Sequence, residues 1–328
     1  MSHRKNRMNR EEFYSATGKL DDNQLRRVLW TVYWRGNADL RERIEGEIAE
    51  PGGRRSARAP KPVPDGAELA REVADFVALA RAGAYMAGSR RVSPRERTRW
   101  RFTFKRLASD SQQALAGENP DQAATALTAL IDLACVTAEV DLFRSDDPME
   151  AAGFVVSDAV AHLWASTRDR CGFDAFAGQA APQLIRWESR FGWTRRGMGS
   201  VAAKETTLAS VLHQMLRGGE MWARFAQHYV QALDDRPGSR RAGHLADDLA
   251  QWHLYLLNNL DDTPNGVLDQ IAQHSSLVGV EQKFFAAQLA LRRADVATAR
   301  QLVTECLRTL PGHPQFRAFA AEVGADTM

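Results

Sequence analysis

Apolar residues return every three or four positions along most of this chain, and no stretch alternates at a period of two. Between Val280 and Gly324 the pattern is clearest. Phe284, Phe285, Ala287, Leu289 and Leu291 mark one helix, and Val296, Ala299, Leu302, Val303, Cys306, Leu307 and Leu310 form the stripe of a second. Asp295 stands where its carboxylate can cap the free amides of that second helix. Pro311 and Pro314 cannot extend it, and Gly312 suits an exit. Such a pair cannot bury its apolar side alone, so it calls for neighbours of the same kind.

The same design recurs upstream. Asp21 with Gln24 reads as a capping box, followed by the stripe Leu25, Val28, Leu29 and Val32 with Trp30, Tyr33 and Trp34, up to Gly36. With a second helix over 38–49 this makes an N-terminal hairpin behind a polar, basic arm at 1–12. Residues 51–64 hold four prolines and two glycines and read as an extended linker. The expected organisation is therefore a hairpin over 1–50, a linker over 51–64 and a helical domain over 65–328. Within that domain Leu107 to Val140 reads as a second hairpin. Asp147 to Glu150 reads as another capping box, and a helix starts at Pro182. The fold class expected is all-α: stacked antiparallel helix pairs, as an α-solenoid or a compact helical array.

In the C-terminal unit, Ala286-Ala287, Ala290, the Ala294-Asp295 turn, Ala299, Cys306 and Pro311 fall on a small–small, turn, Ala, small, Pro pattern. The unit resembles a degenerate tetratricopeptide repeat. The aromatic positions of the family's first helix are held here by Lys283 and Ala290. The resemblance covers one repeat and implies helix-pair stacking and peptide or protein binding. An ordinary αα-hairpin is the alternative.

Composition sets bounds on function. Of the 328 residues 44% are hydrophobic and 26% charged, which is globular and not disordered. No apolar run reaches the ~20 residues of a membrane span, and the polar N-terminus does not read as a secretory signal. A cytoplasmic protein is expected. Cys135, Cys171 and Cys306 are far apart in sequence and read as reduced, buried thiols.

Charge is concentrated. Residues 89–106 hold eight Arg or Lys and one Glu, a local +7 in a chain of net +2, which leaves −5 for the remainder. Arg90, Arg91, Arg95, Arg99, Arg101 and Arg106 can present guanidinium groups to phosphates or carboxylates, with Trp100 able to stack on a base or to pack in the core. The arginines can instead pair with acidic loops at Asp146-Asp147, Asp234-Asp235 and Asp247-Asp248. A second cluster, Arg186, Trp187, Arg190, Trp193, Arg195 and Arg196, carries the residue types that dominate protein interfaces.

No catalytic or phosphate-loop motif is present. His244 and His253 lie nine residues apart, on opposite sides of a helix, so with Asp247 and Asp248 they do not make a metal site. Asp158 and His162 stand one turn apart and can form a hydrogen-bonded pair. The expectation is a non-enzymatic scaffold or adaptor, without cofactor, metal or small-molecule substrate, that binds a protein partner or itself through Arg/aromatic surfaces. The alternative is a nucleic-acid-associated protein using 89–106.

Overall fold

The computed structural model describes residues 10–36, 40, 41, 44, 45, 48, 63–191, 199–235, 249–277 and 279–325, without the side chains of 189–191. Among these residues there are fourteen helices and no strand. The chain divides into two units, Met1–Pro62 and Val63–Met328.

The first unit contains α1 (Arg10–Thr17) and α2 (Asp22–Arg35). α1 begins inside the stretch 1–12 expected to be a polar arm; residues 1–9 lie outside the described residues. In α2 the Asp21 carboxylate accepts from Gln24 N at 2.7 Å, and Gln24 Oε1 accepts from Asp21 N at 2.9 Å. Two otherwise unsatisfied amides are thereby paired. Neither helix has a buried residue: Val28, Leu29, Trp30 and Trp34, expected to pack within a hairpin, are exposed. Residues 51–62 of the expected linker lie outside the described residues.

The second unit begins with α3 (Gly66–Arg81), α4 (Pro94–Ala114) and α5 (Pro120–Val136). Asp65 caps α3 by accepting from Ala67 N and Glu68 N, both at 2.8 Å. α4 is one helix of 21 residues. The basic strip and the first helix expected from Leu107 are thus continuous. α4 opens on a capping box between Ser93 and Glu96, with Pro94 at its first position. Trp100, Phe104 and Leu107 are buried; Phe104 meets Phe76 of α3, and Trp100 stacks on Phe143, in the segment after α5, at 4.0 Å between ring centroids.

Short α6 (Pro148–Ala152) stops at Gly153, whose φ of 65° is left-handed. The capping box read at 147–150 thus opens a helix of only five residues, and the next helix starts afresh, as α7 (Val156–Phe191). Within α7 Gly172 has φ 82° and ψ 178°, which breaks the helical ladder. In a straight helix Trp164 and Gln183 would stand roughly 28 Å apart. Instead Trp164 Nε1 donates to Gln183 Oε1 at 2.7 Å, so the two arms of α7 fold back on each other at Gly172. The turn is made by glycine at 172, and Pro182, expected at a helix start, lies inside the second arm.

The unit continues through α8 (Leu208–Met215), α9 (Gly219–Asp234), α10 (Ala250–Asn259), α11 (Val267–Gln273), α12 (Val280–Arg292), α13 (Val296–Thr309) and α14 (Pro314–Val323). Packing advances along the chain: α3 on α4 and α5, α5 on α7, α7 on α8 and α9, α10 on α8, α9 and α12, α12 on α13, and α13 on α14. α12 is the joint between two cores. Its Phe285 and Leu289 belong to the large core that begins at Leu69. Its Phe284, Ala287 and Ala290 belong to a smaller core with Ala299, Val303, Cys306 and Phe316. Cys135 and Cys306 are buried, but Cys171, beside the break in α7, is exposed.

Candidate anion-binding face

α4 sorts its residues by helical angle. Its apolar side is fixed in the core by Trp100 (4% exposed), Phe104 and Leu107, so the arginines interleaved with them must emerge on the other sides. Arg90, Arg91, Arg95, Arg99 and Arg101 are exposed, and among the described residues none of them is held by a carboxylate. Of the basic strip only Arg106 is neutralised: it pairs with Glu72 and with Asp110, the latter at 3.3 Å. Those bonds, Glu72 first, push its already high pKa further up. The carboxylates are on α3 and on α4 itself, not on the acidic loops considered from sequence. Asp234 of those loops meets His274 Nε2 at 2.9 Å instead. Asp247 and Asp248 lie outside the described residues.

Five residues of the strip line one concavity. Pro94, Arg97, Thr98 and Arg101, spaced to share a side of α4, line a cleft of ≈ 390 Å³ with Tyr85, the 86–88 turn, Trp100 and Arg144. Gly88 at φ 81° supplies the left-handed geometry that brings the turn over α4. Arg97 is half-buried, and its Nε is buried without an acceptor, so the side chain is folded inward and not extended into solvent. The Arg101 guanidinium also sits over the ring of exposed Phe102, 4.9 Å from its centroid. Burial, and then the charge of Glu96, raise the Tyr85 phenol pKa and keep it protonated. Glu96 is engaged by Ser93, whose bonds hold its carboxyl below the usual range. The cleft therefore presents three arginines, a phenol and no lining carboxylate. Arg97 and Arg144 were not picked out from sequence as site residues. The i, i+4 spacing of Arg97 and Arg101 was visible there, but nothing in the sequence placed Arg144 beside them.

Of the second cluster, Arg186 and Trp187 are described. Trp187 is fully buried, and its Nε1 donates to Asp132 Oδ1 at 2.8 Å. Arg186 is exposed and forms an ion pair with Asp132. Trp187, like Trp100, is thereby withdrawn from any partner. The side chain of Arg190, and Trp193, Arg195 and Arg196 entirely, lie outside the described residues.

Asp158 and His162 are both exposed, with no hydrogen bond between them. His253 is buried, bonded through Nε2 to the Tyr229 hydroxyl at 2.9 Å, and burial lowers its pKa to about 3. His244 lies outside the described residues, and among those described no three His, Cys, Asp or Glu side chains gather as metal ligands. No described helix is long and apolar enough to cross a membrane.

Comparison with the models of known protein families, with curated proteins and with solved structures gives no match.

Proposed function

We propose that this chain is a non-enzymatic helical scaffold that binds a partner protein through the arginine face of α4, and that the partner's contacting segment is acidic. The observation that carries this reading is the pair Arg95 and Arg99, one turn apart on α4, with Arg91 just ahead of the helix, all exposed and, among the described residues, with no carboxylate neutralising them. Unpaired surface charge adds little to stability, but it selects and steers an oppositely charged partner. The resemblance of α12–α13 to a tetratricopeptide repeat points the same way, toward a stack that holds a protein.

A nucleic acid is the second reading, favoured by those same unneutralised arginines, which suit phosphates as well as carboxylates. Against it stands the burial of Trp100 and Trp187, which leaves Phe102 as the exposed aromatic of the strip. Fluorescence anisotropy of labelled poly-glutamate, single-stranded DNA and duplex DNA, each across a salt series, separates the two. The scaffold reading expects poly-glutamate to bind more tightly than either nucleic acid. The triple replacement Arg91→Ser, Arg95→Ser and Arg99→Ser should then lower its affinity at least tenfold. Tighter DNA binding with a steep salt slope would install the second reading. Affinity unchanged in the triple variant would remove both.

A further inference from the structure

We infer that the cleft between α4, the 86–88 turn and Arg144 is a site for one phosphomonoester group, carried on a phosphorylated side chain of the partner protein. The inference rests on the proposed scaffold reading and deepens it. The outer arginines would meet a partner's acidic stretch in general, whereas the cleft would recognise one doubly charged group.

The geometry distinguishes the cleft from the open row beside it. Arg95 and Arg99 stand in solvent, where a carboxylate or phosphate can be met from any direction. Arg97, Arg101 and Arg144 instead line one concavity, walled by buried Tyr85 and Trp100. Its ≈ 390 Å³ falls within the range of small-ligand sites. Guanidinium groups pair with phosphate oxygens two bonds at a time, and clusters of Arg are the general means of reading phosphorylated side chains.

Arg97 gives the more specific indication. A guanidinium left alone relaxes into water, yet this one is folded in with a buried Nε that has no acceptor, an arrangement that costs free energy unless something is bound. The Tyr85 phenol, kept protonated, is a further donor on the cleft wall. Nucleic acid is disfavoured for this cavity because its aromatic wall, Trp100, is packed on Phe143 and offers no face for a base.

Isothermal titration of the full chain with O-phosphoserine and with inorganic phosphate, at constant ionic strength, tests the site. Stoichiometric binding is expected, with serine and glutamate showing none. Arg97→Ala with Arg144→Ala should weaken phosphoserine at least tenfold, and Arg97→Lys should recover only part of that loss. The outer triple Arg91→Ser, Arg95→Ser and Arg99→Ser should change it less than threefold. Glutamate binding as tightly as phosphoserine would overturn the inference, as would wild-type affinity in the double variant. So would a 5′-phosphorylated oligonucleotide that outcompetes phosphoserine. Should the double variant fail to fold, displacement of phosphoserine by inorganic phosphate but not by sodium chloride on the native chain decides the matter. Poly-glutamate binding that depends on the outer arginines, together with no phosphoserine binding, would sink this inference and leave the scaffold reading intact. Phosphoserine binding without poly-glutamate binding would remove the role given to the outer arginines and leave the phosphate site standing.

Discussion

Asp132 of α5 and Trp187 of α7 are joined by a 2.8 Å hydrogen bond from indole to carboxylate, at a point where the ring is fully buried. The same carboxylate holds Arg186, so one aspartate satisfies two neighbours in sequence, one facing in and one facing out. An indole donor left unpaired inside a core is costly, and a bond to a charged acceptor is worth about 1.5–3 kcal/mol. Trp187→Phe keeps most of the ring but removes the donor. It should destabilise the chain by about 2 kcal/mol, seen as a lower urea midpoint with unchanged slope. Poly-glutamate affinity should not move. A variant that keeps its midpoint but loses binding would return Trp187 to the surface.

Periodicity alone carried the helical class and most helix positions, because burial of one side of a helix is written directly into residue order. Asp21, Ser93 and Asp295 all cap the helices they precede, since a cap is a local interaction. What the sequence did not reveal is non-local. The sequence of Asp147-Pro-Met-Glu150 has the form of a capping box, and Asp147 does accept from Glu150 N at 3.0 Å. The Glu150 carboxylate, however, reaches residues 200 and 201. Gly172 rather than Pro182 turns α7, and Ala294 takes a left-handed φ of 60° in the turn before α13, where glycine would be the usual choice. Arg97 and Arg144 line the same cleft, and Phe143, the neighbour of Arg144, stacks on Trp100 of α4. The basic strip was legible as composition; the concavity within it was not, because its walls come from segments some fifty residues apart.

Arg293, at the C-terminal end of α12, holds two carboxylates, Asp262 in the loop before α11 and Asp269 on α11. Its Nε donates to Asp262 at 2.8 Å and its Nη1 to Asp269 at 2.6 Å. The bonds from Arg293 are the first cause of the lowered pKa of both aspartates. A depressed carboxylate stabilises the fold above its unfolded value, near 4, and that contribution is lost as pH falls through the folded value. Arg293→Gln should therefore cost about 1 kcal/mol at pH 7, as expected for a partly exposed pair. The gap between native and variant should close as pH is lowered from about 4 to 2. Melting curves over that range check it, and a gap independent of pH would show that Arg293 acts by packing and not by charge.

Glu150 ties α6 to the turn that follows residue 199. It accepts from Ser200 N at 3.0 Å, from Ser200 Oγ at 2.8 Å and from Val201 N at 2.8 Å. The bonds from Val201 and then Ser200 lower its pKa, so its contribution is present above the usual Glu value and disappears as pH falls below it. The carboxylate sits so close that a Cβ at Gly199 would lie 2.5 Å from its carbon, and φ at Gly199 is 152°, where side chains are rarely tolerated. Gly199→Ala must therefore displace Glu150 as well as strain the backbone, and should destabilise by about 1–3 kcal/mol. Glu150→Gln keeps one acceptor and loses the charge, so it should lower the melting temperature at pH 7, and the deficit should shrink as acid protonates the native carboxylate. If Gly199→Ala melts as the native chain does, the carboxylate is not held against this turn. If the Glu150→Gln deficit does not change as pH is lowered from 7 into the acid range, charge is not what fastens it.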